Sequence, residues 1–77
     1  MLSVWAAYHR RIAQVAPLED EPLDEVHAVR LARRLRKRYP LPGVKFWVQE
    51  GAPVRGDEVH WDQMRDEIVE RLAIVNK

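Results

Sequence analysis

Proline and glycine decide first what this chain can build. The breakers fall at Pro17, Pro22, Pro40, Pro42 and in the segment from Gly51 to Gly56, leaving three helix-sized stretches and one strand-sized stretch between them. No internal repeat or low-complexity tract adds further units. With 77 residues in all, the stretches must share one thin core, because a domain of this size buries only about 60% of the surface its unfolded chain exposes. That length excludes a large enzyme fold and leaves little space for a deep substrate pocket.

In the first stretch Trp5, Tyr8, Ile12, Val15 and Ala16 recur at helical spacing, with Arg10, Arg11 and Gln14 outside their arc. The spacing predicts a helix capped by Ser3 and stopped at Pro17. The segment from Pro17 to Pro22 carries Glu19, Asp20 and Glu21 and reads as an acidic linker. A second helix is predicted over roughly 22–39. Ala28, Leu31, Ala32, Leu35 and Tyr39 share one face of it, while Arg30, Arg33, Arg34 and Lys37 cluster opposite. Asp24 and Glu25 near its start, and Arg36, Lys37 and Arg38 near its end, suit the helix dipole. Pro40 and Pro42 then force the backbone out of helical geometry.

From Gly43 to Glu50, Val44, Phe46 and Val48 alternate with Lys45, Trp47 and Gln49, the period-two pattern of a half-buried strand. Residues 58–61 admit two readings: a second strand that folds back on the first as a hairpin, or the start of a helix capped by Asp57 that already includes Trp61. The last stretch, 62–75, places Met64, Ile68, Leu72 and Val75 on one arc, with Asp66, Glu67 and Glu70 toward solvent and Glu67 spaced to pair with Arg71. The predicted fold is α+β, a single domain over 1–77 with three amphipathic helices and a short β-hairpin in the order α-α-β-β-α. So small a sheet needs the helices for stability, and an edge left open would need a cover.

The 13 basic and 12 acidic side chains sum to +1, far from the excess of a polybasic binder. The sum conceals a division: residues 1–38 hold eight basic and five acidic side chains, net +3, and residues 39–77 hold five and seven, net −2. Six of the nine residues from Arg30 to Arg38 are basic. Cations at i, i+3, i+4 and i+7 can meet several phosphates or carboxylates together, and repel one another when they meet none. Arg10 and Arg11 would widen that surface if the first two helices packed as an antiparallel pair. Trp47, between Lys45 and Gln49 on the strand face away from the core, is placed to stack on a base or anchor a protein interface, unless a helix or loop covers it. Trp5 and Trp61 each join an apolar arc and read as core.

Classical catalytic and metal chemistry finds little support. There is no cysteine and no threonine, and Ser3 is the lone serine, so a hydroxyl or thiol nucleophile is nearly excluded, as are disulfides and thiolate zinc sites. His9, His27 and His60 lie on three different elements without metal-ligand spacing, and His60 with Asp57 and Asp62 forms at most a loose cluster. A histidine-based nuclease could use His60 with Arg55, or His9 with Arg10. Arg55-Gly56-Asp57 matches an adhesion tripeptide, but lacks the export context that would give it meaning. No phosphate-cradling glycine motif is present.

The opening run from Met1 to Tyr8 is too short for a signal peptide and far too short to span a bilayer, so the chain is expected to be whole, cytoplasmic and without membrane contact. The leading functional expectation is a small non-enzymatic protein-interaction module or regulatory subunit, with a protein partner or self-association through charged helix faces and no cofactor. The alternative is a nucleic-acid-binding regulator using the helix at 22–39. A histidine-dependent nuclease or toxin-like enzyme stands third.

Overall fold

A computed structural model describes residues 2–15, 24–51 and 56–75. Its elements run β1 (Leu2–Tyr8), β2 (Arg11–Val15), α1 (Glu25–Arg38), β3 (Val44–Glu50), β4 (Asp57–Glu58) and α2 (Trp61–Val75). The strands form one mixed sheet in the order β3-β1-β2-β4. β1 lies antiparallel to both β2 and β3, whereas β4 runs parallel to β2. The α+β class stands, but the expected three-helix order does not. Among the described residues there are two helices and four strands.

The predicted first helix is a β-hairpin. Its helical arc splits between the two sides of the sheet: Tyr8 and Val15 join the core beneath the helices, while Trp5 and Ile12 project from the other face. An apolar stretch buried on both faces satisfies a helical template by coincidence, so periodicity alone does not separate the two states. Aromatic and β-branched residues fit the pleat well. His9 and Arg10 form the two-residue connection, and His9 adopts φ 58°, the positive φ that primed hairpin turns require at this position. Ser3 lies in β1 and caps no helix; its Oγ accepts a hydrogen bond from Gln14 Nε2 at 3.1 Å.

α1 begins at Glu25, so Asp24 stands just before its first turn and not within it. Asp24 is its N-cap, with Oδ1 accepting from the His27 backbone N–H at 2.8 Å. Ala28, Ala32 and Leu35 are buried against the sheet. The helix ends at Tyr39, and Leu41-Pro42-Gly43-Val44 turns the chain into β3. Val44 N–H donates to Leu41 O at 3.2 Å, with Gly43 at φ 92° after proline, the residue order of a type II turn. Because β1 lies between β2 and β3, the passage through α1 is a crossover and not a hairpin.

β3 matches its predicted span, but residues 58–61 do not fold back on it. The two-residue β4 joins β2 instead, through Asp57 N–H to Arg10 O (3.0 Å) and Val59 N–H to Ile12 O (2.8 Å). Gly56 makes this approach feasible. It sits at φ 113°, and a Cβ there would lie 2.9 Å from Ile12 Cγ2. Trp61 opens α2, but the reading of 58–61 as a helix capped by Asp57 does not hold: Asp57 and Glu58 form β4, and within 58–61 only Trp61 is helical.

The core lies between the sheet and both helices. Val4, Ala6, Tyr8, Ala13, Val15 and Phe46 meet Ala28, Ala32 and Leu35 of α1 and Met64 and Ile68 of α2. α1 packs over β1 and β3, and α2 over β2. Trp61 stands edge-on to both Tyr39 and Phe46 with ring centroids 5.8 Å apart, joining the two helices to β3. The edge strand β3 is blunted where Arg36 Nη2 donates to Phe46 O at 2.7 Å. The expected acidic linker, Ala16 and Arg55 lie outside the described residues.

Candidate interaction surfaces

The fold separates the sequence-predicted site residues into three places: the outer face of α1, the sheet face opposite the helices and, for Arg11 alone, the layer between the sheet and α2. α1 presses Ala28, Ala32 and Leu35 inward, which turns the arc carrying Arg30, Arg33, Arg34 and Lys37 directly away from the core. All four are exposed, and none forms an ion pair with a described residue. The same arc begins, one turn earlier, with Val26 and Val29, which are 57% and 41% exposed. The outer face of α1 is therefore apolar at its start and cationic along the rest. The sequence carries the signal for these valines in their spacing, since Val26 and Val29 stand four residues before Arg30 and Arg33 respectively and so share one arc with them.

Arg10, Lys45 and Trp47 gather elsewhere. They border a shallow groove of about 610 Å³ on the sheet face opposite the helices, with Ala7 and Ile12 among its apolar walls and His9 and Asp57 at its margin. Trp47 is half-buried, pairs across the strands with Trp5, and donates its Nε1–H to Gln49 Oε1 at 3.0 Å. Trp5 is buried on this face at 3% exposure, so its predicted burial holds but outside the main cluster. Arg10 thus does not extend the α1 surface.

Arg11 does not extend it either. It alternates with Ile12 to face the helices, where its guanidinium pairs with Glu67 of α2 and lies 5.9 Å from the Tyr8 ring. The expected Glu67–Arg71 pair is replaced by this contact between strand and helix, which no local spacing announces.

α2 presents a second charged arc. Its core face is formed by Met64 and Ile68, fully buried, with Trp61 and Leu72 partly buried beside them. Opposite lie Asp62, Asp66, Val69, Glu70 and Ala73, all exposed. Arg65 approaches Asp62 at 3.5 Å and Asp66 at 3.9 Å, but with those carboxylates about four-fifths exposed the contacts hold little energy.

The remaining chemistry is sparse. Asp24 Oδ1 lies 2.7 Å from His27 Nδ1. The backbone and side-chain hydrogen bonds from His27 hold the Asp24 carboxyl below its ordinary range. No hydrogen bond or ion pair links one histidine to another, and no group of three metal-ligating side chains forms among the described residues. Among them, too, no helix is long and apolar enough to cross a membrane. Comparison with family models, curated proteins and solved structures finds no match.

Proposed function

We propose that this chain is a small non-enzymatic protein-interaction module or regulatory subunit, and that the outer face of α1 docks an acidic partner segment that also carries apolar side chains. The observation behind this reading is the composition of one exposed arc: four cations without an ion pair among the described residues, continued by Val26 and Val29. Like charges at these spacings repel by about 0.2–0.5 kcal/mol per pair, so a partner's carboxylates relieve a tension the free chain carries. Exposed ion pairs contribute only about 0.2–1 kcal/mol each. Charge then supplies steering and register, and the valines supply burial. The expected complex is weak and salt-sensitive. The cysteine-free composition suits a cytoplasmic setting for it.

A phosphate backbone would engage the cations and leave both valines in water, which is why the arc favours protein over nucleic acid. The test is a fluorescence anisotropy titration at about 50 mM salt, where screening is modest. The probes are a peptide with Glu and Leu at helical spacing, and mixed DNA and RNA oligonucleotides. The peptide should bind. Binding should weaken both on replacing Arg30, Arg33, Arg34 and Lys37 with Glu and on Val26→Ser with Val29→Ser. Tighter binding of oligonucleotides, indifferent to the valine changes, would transfer the surface to nucleic acid and overturn the proposal.

A further inference from the structure

Every described residue that is both large and apolar and exposed lies on α1 or α2: Val26 and Val29 on the first, Val69, Ile74 and Val75 on the second. Three of them sit on the charged outer arcs. On α1, Val26 and Val29 precede the cations; on α2, Asp62 and Asp66 precede Val69 and Ala73, with Glu70 beside them. The two arcs are complementary in sign, and their apolar ends lie at opposite ends of their helices. The helices match in length as well, 14 and 15 residues or about 21 and 22 Å.

Resting on the reading of α1 as a docking face, we infer that its partner is a second copy of this chain, with the outer arc of α1 laid antiparallel on the outer arc of α2 of the next copy. Only the antiparallel arrangement brings Val26 and Val29 against Val69 and Ala73 while Arg33, Arg34 and Lys37 meet Asp62 and Asp66. The cations from Arg30 to Lys37 cover about 10 Å of helix and the acids from Asp62 to Glu70 about 12 Å, so the two sets overlap along their length. Antiparallel helices also oppose their dipoles favourably. A parallel arrangement would place the cations against Val69 and Ala73 and align the dipoles unfavourably.

The outer arc of α1 meets the outer arc of α2, so two copies either make this contact twice about a two-fold axis, which closes the dimer, or make it once head to tail, which leaves one face of each copy open for growth to a ring or an open chain. One helix pair covers less surface than the roughly 1,000 Å² of a stable interface, so assembly is weak, reversible and suppressed by salt.

The test uses the full-length chain and two surface variants in sedimentation velocity or light scattering. One variant carries Arg33→Gln, Arg34→Gln and Lys37→Gln; the other carries Asp62→Asn, Asp66→Asn and Glu70→Gln. The wild type should grow in mass with concentration at low salt and revert at high salt. Each variant alone should associate about 3- to 150-fold more weakly, because three exposed ion pairs are lost at about 0.2–1 kcal/mol each. Mixed, the two variants should form a one-to-one heterodimer and nothing larger, since one native face remains on each. A wild type that stays monomeric, variants that assemble like the wild type, a mixture that stays monomeric, or a mixture that grows beyond two would each overturn the inference. If the wild type is monomeric yet the acidic peptide still binds α1, self-association falls and the docking face stands. If neither occurs, both fall.

Discussion

Trp61 of α2 meets rings from both the end of α1 and β3, and replacing it with leucine gives a worked expectation. It meets Tyr39 and Phe46 edge-on, with interplanar angles of 80° and 77° at 5.8 Å. Each such pair contributes about 0.5–1.5 kcal/mol beyond its buried area, so the two together hold about 1–3 kcal/mol. Loss of ring area adds about 1 kcal/mol for a half-buried site, since leucine preserves part of the contact. A total of about 2–4 kcal/mol is a large share of the roughly 4–12 kcal/mol expected for a domain of this length. It should lower Tm by about 8 °C or more, given about 4–8 °C per kcal/mol at this size. Thermal and urea unfolding followed by far-ultraviolet circular dichroism would measure both. A double-mutant cycle with Phe46→Leu should return a coupling of about 0.5–1.5 kcal/mol. A loss under about 1 kcal/mol with no coupling to Phe46 would refute the picture of three rings locking α1, β3 and α2 together.

Two further outcomes follow from the hairpin and the helix cap. Ala13 is fully buried and Gln14 exposed, so Ala13→Asp should unfold the domain or lower its Tm sharply, by burying an unpaired carboxylate, while Gln14→Asp should be close to neutral; equal effects in thermal melts would argue against the β2 register. The Asp24 carboxyl is held low by bonds that exist only in the folded state. Its contribution is therefore present above the ordinary carboxylate pKa and is lost as pH falls through the folded value; denaturant titrations across the acid range should show Asp24→Asn, which retains a capping oxygen, flattening that part of the stability profile.

The sequence makes legible what depends on neighbours along the chain. α1 declares itself through Asp24, the inward arc of Ala28, Ala32 and Leu35, and the closing cations. β3 and α2 declare themselves through period two and period 3.6. The first stretch misleads for two physical reasons. It is apolar on both faces, and its turn is His9-Arg10, without the glycine or asparagine that normally signals positive φ. β4 was ambiguous because a two-residue strand is defined only by its partner, Arg11 and Ile12, more than forty positions away. The same limit governs the surfaces. The basic arc of α1 is local and was visible, whereas the removal of Arg11 into a pair with Glu67 and the gathering of Arg10, Lys45 and Trp47 about one groove required the fold.

The central claim is that the outer face of α1, and not the groove on the far side of the sheet, is where this chain meets its partner. Backbone amide chemical shifts recorded during titration with the acidic amphipathic peptide test it most directly. The account predicts that shifts concentrate on Val26, Val29, Arg30, Arg33, Arg34 and Lys37 while Ala7, Ile12 and Trp47 stay unmoved. Shifts centred on Ala7, Ile12, Lys45 and Trp47, with the α1 arc unmoved, would contradict it.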